Sequence, residues 1–252
     1  MKHRIWWIVI LVALGAAGVW WGARGRRAPT PGEPGDAAVQ AWQASNVLLN
    51  GSFEQWRFPW ETGVGPFWRE AAFDIAPERA LLGRTALRLD LVVPSRDIAP
   101  LRSGVVQECR PDHFPQYLSI KYLVERWAPD LPYLNLYLKV QVVGDVFGTG
   151  QALSELRYIL EGKAGHWVGS NLRTITFPAR PTSRERWITF ERDLWADFAE
   201  QYGEVPVDFE AVRLIFAVSC DERVEQPVAL RVWGENCYLG LVPPPDWEGP
   251  PA

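Results

Sequence analysis

The side chains with the most reactive chemistry are few and widely spaced. The sequence holds three cysteines and three histidines, at Cys109, Cys220, Cys237, His3, His113 and His166. They form neither a Cys-x-x-Cys pair nor a His-Glu-x-x-His motif, so a zinc site is not indicated. A Gly-x-Ser-x-Gly elbow and the glycine patterns of nucleotide-binding loops are also lacking. These absences predict a protein that is not an enzyme.

Carboxylates are the remaining candidates for catalysis. Asp74, Asp90, Glu108 and Glu235 could in principle pair as the acid and base of a glycosidase. Nothing in their spacing favours a catalytic pair over the alternative that each carboxylate is a solvated charge on a strand edge. A glycosidase is therefore not favoured.

Two cysteines could form a disulfide in an oxidising compartment. Cys220 and Cys237 lie near the ends of the last two predicted strands, 17 positions apart. If those strands pair, the two thiols are the best-placed pair for a bridge. Three buried free thiols are the alternative, and the sequence leaves both open.

Fourteen tryptophans are the most unusual feature of the composition. A sugar ring can stack its apolar face on an aromatic ring while polar neighbours bind its hydroxyls. The aromatic residues in predicted loops or on polar strand faces are candidates for this role, namely Trp68, Trp127, Tyr133, Tyr137 and Trp167. Trp56, Trp187 and Trp233 lie among apolar strand residues, which favours core packing. Trp60 and Trp68, with Arg57 and Arg69, suit a protein interface equally well.

The N-terminal segment is typical of a membrane anchor. Ile5 to Ala23 is a run of 19 residues without charge, which as a helix spans about 28 Å, close to the bilayer core. Tryptophan pairs stand near both ends, where indoles prefer the membrane boundary. A cleaved signal peptide is the alternative, but Val19-Trp20-Trp21 extends the apolar run past the small residues. We expect an uncleaved single-pass helix that contacts lipid through residues 5–23, with a cytoplasmic N-terminus and a periplasmic or extracellular C-terminal domain.

Charge separates this segment from the rest of the chain. Of the 26 basic residues, five lie within the first 27 positions, where no acidic residue stands, and the chain carries 30 acidic residues in all. The remainder is therefore acidic, with scattered arginines. Nucleic-acid binding needs a clustered basic face, so a nucleic-acid partner is not expected.

The remaining sequence predicts an all-β domain. We expect four segments: the anchor at 1–27, an extended Pro/Gly-rich linker at 28–44, an antiparallel sandwich at 45–242 and a Pro-rich tail at 243–252. In the strand predicted at 133–143, Leu134, Leu136, Leu138 and Val140 share one face, and Asn135, Tyr137, Lys139 and Gln141 share the other. One helix is predicted at 194–201. Residues 153–160 suit either a helix or a strand.

The stretch Asn46-Val-Leu-Leu-Asn-Gly-Ser-Phe-Glu54 resembles the opening strand of galactose-binding-like jelly rolls, especially carbohydrate-binding modules of families 4 and 9. The alternating strand at 83–89, the central strand at 117–122, the strand at 187–190 and the closing pair at 212–216 and 230–241 follow in the family's order. The resemblance implies a jelly-roll β-sandwich of eight to ten strands that binds carbohydrate and has no catalytic role.

The resemblance also implies a structural calcium in many members. Glu54, Glu235 and Asn236 offer the oxygen ligands that calcium prefers. The family's Asp-rich closing strand is replaced here by Gly234-Glu-Asn-Cys-Tyr238. Glu54 has an alternative role as a carboxylate that ties the first strand to the last.

Two functions remain open. The first is a membrane-anchored, extracytoplasmic binding module that recognises a glycan or another envelope ligand. The second is an accessory structural subunit of a larger membrane complex, in which the helix packs against partner subunits and the sandwich braces the periplasmic face. Small residues at four-residue spacing, Ala13 with Ala17 and Gly18 with Gly22, permit close helix packing in the second case, although a lipid-facing helix tolerates the same residues equally well.

Overall fold

The protein is described here by a computed structural model that covers residues 34–55, 57–62, 73–94, 101–127, 134–144, 151–162, 171–176, 186–221, 223–245 and 247. The chain divides into two compact units, Met1–Gln40 and Ala41–Ala252. The predicted anchor at 1–27 lies outside the described residues. Among the helices that are described, none is both long and apolar enough to cross a membrane.

The described residues form two helices and eleven strands. Helix α1 is Pro34–Ala44 and helix α2 is Leu194–Tyr202. The strands are β1 (Glu61–Thr62), β2 (Phe73–Ala76), β3 (Ala86–Val93), β4 (Leu101–Cys109), β5 (Tyr117–Arg126), β6 (Leu134–Gly144), β7 (Gln151–Gly162), β8 (Leu172–Thr176), β9 (Ile188–Asp193), β10 (Ala211–Cys220) and β11 (Val228–Gly240).

The strands form two sheets. The six-stranded sheet has the order β1-β4-β10-β6-β7-β8, and the five-stranded sheet has the order β2-β3-β11-β5-β9. The prediction of a two-sheet β-sandwich with few helices is confirmed. The expectation of a wholly antiparallel arrangement is wrong at one place, because β7 and β8 run parallel.

Alternating apolar residues build the core between the sheets. Leu134, Leu136, Leu138 and Val140 of β6 are all buried in the main core cluster, as their period-two spacing predicts. In α2, Leu194 and Phe198 lie four positions apart and are both fully buried, which confirms the predicted helix. The ambiguous segment 153–160 belongs to strand β7.

The linker prediction is wrong for its second half, since Pro34–Ala44 is helical. Pro34 occupies the first helical position, where its missing N–H costs no hydrogen bond. The residues after it include four alanines and two glutamines, which favour helix over an extended spacer.

The segment 46–54 is not a strand, although it resembles one in sequence. Asn50 and Phe53 have φ angles of 52° and 61°, so the backbone turns twice instead of extending. The segment is fixed to β11 through Asn46, whose Nδ2 donates to the Cys237 carbonyl at 3.0 Å and whose Oδ1 accepts from Leu239 N at 3.0 Å. A Cβ at Gly51 would overlap the Cys237 carbonyl, so this close approach requires glycine.

Candidate binding face

The side chains of the six-stranded sheet that point away from the core form what we call the outer face. Since β4, β10, β6 and β7 lie side by side, the register brings Ala217 opposite Tyr137 and Tyr137 opposite Ile159. These residues form a small apolar cluster with Ile215 that is separate from the main core. Polar and charged side chains of the same strands surround this cluster.

Tyr137 lies at the centre of the outer face. The sequence places it correctly on the face opposite Leu136 and Leu138, but only 3% of it is exposed. The Arg157 guanidinium stands 5.0 Å from the centroid of its ring. Burial raises the pKa of the Tyr137 hydroxyl. The expectation of an open stacking platform at Tyr137 is therefore wrong, because its ring is buried and one side of it faces a cation.

Asn135 and Asp221 form the polar part of the outer face. Asn135 Nδ2 donates to Asp221 Oδ2 at 3.2 Å. Burial raises the pKa of Asp221, while Arg102, Arg157 and the hydrogen bonds that it accepts oppose that rise. Asp221 is half-buried, so the group reaches solvent at its edge.

Two buried polar atoms of this face have no hydrogen-bond partner among the described residues, namely Asn135 Oδ1 and Arg157 Nε. Asn135 is 1% exposed and Arg157 is 7% exposed. An unpaired buried polar group costs on the order of 1–3 kcal/mol, so such atoms are expected where a ligand completes the site. The face thus contains one unpartnered acceptor and one unpartnered donor, both buried just beneath its surface.

A cation–carboxylate pair borders the same face. Lys139 Nζ lies 2.9 Å from Glu155 Oε2, and both side chains are largely buried. Burial lowers the pKa of Lys139, although Glu155 acts in the opposite direction. The sequence places Lys139 on the polar face of its strand. It does not identify Arg157, because residues 153–160 suit either a helix or a strand, or Asp221, because this residue follows the end of a strand.

The remaining aromatic candidates do not join Tyr137 in the described structure. Trp127 follows β5 of the five-stranded sheet and packs against the main core. Trp68, Tyr133 and Trp167 lie outside the described residues, as does Trp56. Trp60 is 3% exposed and donates from Nε1 to the Asn50 carbonyl at 3.0 Å, so its expected role at an interface is wrong. Trp233 is buried, as predicted, whereas Trp187 is half-buried, and the two pack in a small cluster that is separate from the main core.

The four carboxylates weighed as a glycosidase pair all have structural partners. Asp74 pairs with Arg88, Asp90 with Arg231, and Glu108 with Arg213. Glu235 accepts hydrogen bonds from backbone amides. This arrangement holds strands and loops together and does not present a pair of carboxylates across a cleft.

Glu54 and Glu235 both bind the loop before β3, which we call the amide loop (residues 81–85). Glu235 accepts from the backbone N–H groups of Leu81, Leu82 and Gly83 at 2.9–3.0 Å. Glu54 Oε1 accepts from those of Arg84 and Thr85 at 2.6 and 3.0 Å. Burial raises the pKa of Glu54, but the amides of Arg84 and Thr85 outweigh it, and the pKa is lowered overall.

This arrangement does not fit the calcium site that the resemblance implies. The N–H groups carry partial positive charge and point at the carboxylate oxygens where a cation would bind. Asn236, the third expected ligand, has a left-handed φ of 54° on β11. No group of three or more acidic, histidine or cysteine side chains suited to a metal occurs in the described part of the chain. Glu54 ties the amide loop to the N-terminal segment, whereas Asn46 makes the link to the last strand.

The expected Cys220–Cys237 disulfide is not formed, and none of the three cysteines takes part in a disulfide bond. Cys220 ends β10 of the six-stranded sheet, whereas Cys237 lies in β11 of the five-stranded sheet, so the two strands do not pair. Both thiols are buried. Cys109 is half-buried, and burial together with Glu108 raises its pKa to about 12.

Neither a known protein family nor a curated protein matches the sequence. Solved structures with a similar fold include a family 61 carbohydrate-binding module in complex with β-1,4-galactotriose, with a TM-score of 0.41, 14% identity and coverage of 77% of this chain and 97% of that one. A family 22 module of Clostridium thermocellum Xyn10B has a TM-score of 0.38, 11% identity and coverage of 76% and 91%.

The enzymatically active domain of tailspike protein 4 from bacteriophage CBA120 is a further similar structure, with a TM-score of 0.46, 13% identity and coverage of 78% of this chain but only 21% of that one. Binding modules and an enzyme thus occur among the similar structures. At these identities the likeness extends to the fold alone.

Proposed function

We propose that this protein is a non-catalytic carbohydrate-binding module whose ligand binds at the outer face of the six-stranded sheet. The observation that carries the proposal is the pair of buried, unpartnered atoms, the acceptor Asn135 Oδ1 and the donor Arg157 Nε. Sugar hydroxyls can donate and accept at once, so a polyol satisfies both atoms. A purely apolar ligand satisfies neither, and a fully ionised phosphate satisfies only the donor.

The surrounding groups suit the same ligand class. The half-buried Asp221 adds a carboxylate acceptor, and Lys139 with Glu155 adds a donor and an acceptor beside them. Arg157 lies over the ring of Tyr137 and occupies the side on which a sugar could stack. The ligand is therefore bound through hydrogen bonds. This distinguishes the site from the aromatic platform that the sequence suggests.

Binding is tested with the full-length chain, purified in a detergent that has no sugar headgroup. Affinity electrophoresis through gels that contain neutral or acidic soluble polysaccharides measures retardation. We expect retardation by at least one polysaccharide, and an affinity loss of about tenfold in Arg157→Gln, since one charged hydrogen bond is removed.

Arg213→Gln is the matched control. It is the same substitution on the same sheet, but Arg213 pairs with Glu108 at 2.7 Å near solvent, away from Asn135. Equal weakening by the two variants, or a folded chain that no polysaccharide retards, contradicts the proposal. Thermal unfolding of each variant shows whether it remains folded.

For the cellular location we propose a single-pass anchor at residues 5–23 that holds the module outside the cytoplasm. The support is the uncharged run with tryptophan pairs at both ends. Protease treatment of whole cells and spheroplasts checks the orientation. The module is expected to be degraded in spheroplasts, and its protection there would reverse the proposed orientation.

A further inference from the structure

An apolar groove lies between helix α2 and the loop that joins this helix to β10. It encloses a volume of 640 Å³. Its floor is formed by Phe114 and Phe209, whose rings meet edge to face at 5.7 Å, and Phe114 also meets the buried Phe198 at 5.0 Å. Because the floor is continuous with the core, the groove has a fixed shape.

The walls of the groove hold large apolar side chains in solvent. Val207 is 82% exposed, Leu241 is 44% exposed and Trp195 is 38% exposed. The Trp195 indole is oriented by a hydrogen bond from Nε1 to the Phe114 carbonyl at 3.0 Å. Contiguous exposed apolar surface of this kind marks interaction sites.

The helix that supplies Trp195 is anchored at both ends. Asp193 caps its start by accepting from Ala196 N at 3.1 Å and from Gln116 Nε2 at 3.2 Å. Gly203 closes its end in the left-handed conformation. Binding in the groove therefore requires little reordering of the helix, which favours affinity.

Acidic side chains lie at one side of the groove and in a cleft that adjoins it. Asp112 lines it, and Glu204 and Asp208 line an adjoining cleft that shares Val205, Pro206 and Val207 with it. Among the described residues these three carboxylates form no hydrogen bond or ion pair, and no lysine or arginine lines either cleft. The surface thus combines apolar walls with uncompensated negative charge.

We propose that this groove docks a segment of a partner protein in which a large apolar side chain is flanked by lysine or arginine. The apolar side chain fills the groove beside Trp195 and Val207, and the basic flanks pair with Asp112, Glu204 and Asp208. Anionic ligands, including acidic lipid surfaces, are repelled by the same carboxylates. This surface is distinct from the outer face, so the inference does not depend on carbohydrate binding.

The test uses the full-length chain and four short labelled peptides, followed by fluorescence anisotropy. Three peptides carry a central Trp-Leu pair flanked by lysine, glutamate or serine, and the fourth carries lysine around a serine centre. We expect binding of the lysine-flanked apolar peptide alone, with an affinity that falls as salt increases. Equal binding of the serine- or glutamate-flanked peptide, or no binding of any peptide, overturns the proposal.

Substitutions locate the binding. Val207→Lys is expected to lower the affinity for the lysine-flanked peptide about tenfold or more, because it places a charge in the apolar wall. Val92→Lys is the matched control, since Val92 is also an exposed valine, at 61%, but lies on β3 of the other sheet. Equal effects of the two variants overturn the proposal.

A charge reversal distinguishes charge pairing from nonspecific hydrophobic binding. The double variant Glu204→Lys with Asp208→Lys is expected to stop binding the lysine-flanked peptide and to bind the glutamate-flanked one. The control Glu225→Lys, in an exposed loop, is expected to change the binding of neither peptide. Sedimentation of the unmodified chain gives a further outcome. Self-association that Val207→Lys abolishes would assign the groove to a second copy and overturn the proposal.

Discussion

At the residue scale, five consecutive backbone amides are bound by two carboxylates that differ in burial. Glu235 is 1% exposed and accepts three of these N–H groups, whereas Glu54 is exposed and accepts two. Water competes with the hydrogen bonds of Glu54 but not with those of Glu235. The two carboxylates therefore contribute unequally to stability, although their hydrogen bonds to the amide loop have similar lengths.

Glu235→Gln is expected to lower the free energy of unfolding by about 2–4 kcal/mol, because an amide NH₂ replaces an acceptor that faces backbone donors. Glu54→Gln is the control and is expected to cost clearly less, since solvent replaces its bonds. Urea unfolding followed by circular dichroism measures both. Equal costs would mean that the burial of Glu235 does not decide its contribution.

The same contacts bear on calcium. Because the amide N–H groups occupy the carboxylates, removal of divalent ions is expected to leave the unfolding temperature almost unchanged. Calorimetry of the purified chain in EDTA and in millimolar calcium measures this. A calcium-dependent rise that Glu235→Gln abolishes would show that the carboxylates turn from the amide loop to a cation.

The three thiols are expected to be unreactive in the folded protein. Burial holds the pKa of Cys109 at about 12 and raises that of Cys237, so the reactive thiolate is scarce at pH 8. Iodoacetamide is expected to label all three cysteines in denaturant and to label them slowly in the native chain. An intact mass two hydrogens lower without reductant would instead indicate a disulfide.

At the element scale, one buried carboxylate links helix α2 to both sheets. Asp197 accepts from Tyr158 OH at 2.7 Å and forms a two-point pair with Arg192, whose Nε lies 2.9 Å from Oδ2. Tyr158 belongs to β7 and Arg192 to β9, so this residue links the helix to both sheets. Its position also fixes the wall of the apolar groove.

Asp197→Asn is expected to destabilise the protein by about 3–5 kcal/mol, because it leaves the Arg192 guanidinium buried without its counter-charge. Glu200→Gln on the exposed side of the same helix is expected to change stability by less than about 0.5 kcal/mol. Thermal unfolding compares the two variants. A small effect of Asp197→Asn would show that Arg192 reaches solvent or another partner.

The same elements show which features are predictable from sequence. The inward face of β6 and the buried side of α2 follow from local periodicity, because each depends only on spacing along one element. The outward face of β6 does not, since Asn135 and Tyr137 are buried by contacts distant in sequence. Segment 46–54 likewise resembles a strand in sequence, but its backbone turns at Asn50 and Phe53. Its hydrogen bonds to β11, such as that of Asn46 to Leu239, join residues distant in sequence and do not follow from the local pattern.

At the scale of the whole molecule, the two ends of the sandwich domain are close together. Ser45 Oγ lies 2.6 Å from Tyr238 OH, which donates to the Val242 carbonyl at 2.7 Å. Trp42 packs on Tyr238 at 4.8 Å, and Trp247 of the Pro-rich tail packs on Tyr117 at 5.4 Å. The folded domain therefore extends beyond the predicted limits of 45 and 242 at both ends.

Fragments test these limits. The fragment 41–247 is expected to unfold at the same temperature as the full-length chain, because the second compact unit begins at Ala41. The fragment 49–247 lacks the hydrogen bonds of Asn46, the buried Leu48 and the ring of Trp42. Its free energy of unfolding is expected to fall by about 4–6 kcal/mol.

Asn46→Ala within 41–247 provides a graded check if the shorter fragment does not fold. It removes the two bonds to β11 and the bond that Asn46 Oδ1 accepts from Leu48 N at 3.1 Å, and is expected to cost about 2–3 kcal/mol. Leu49→Ala is its control, because Leu49 is 61% exposed and belongs to the same segment. Equal stability of both variants would mean that the backbone bonds of Val47 and Gly51 to β11, and not the side chain of Asn46, hold the segment in place.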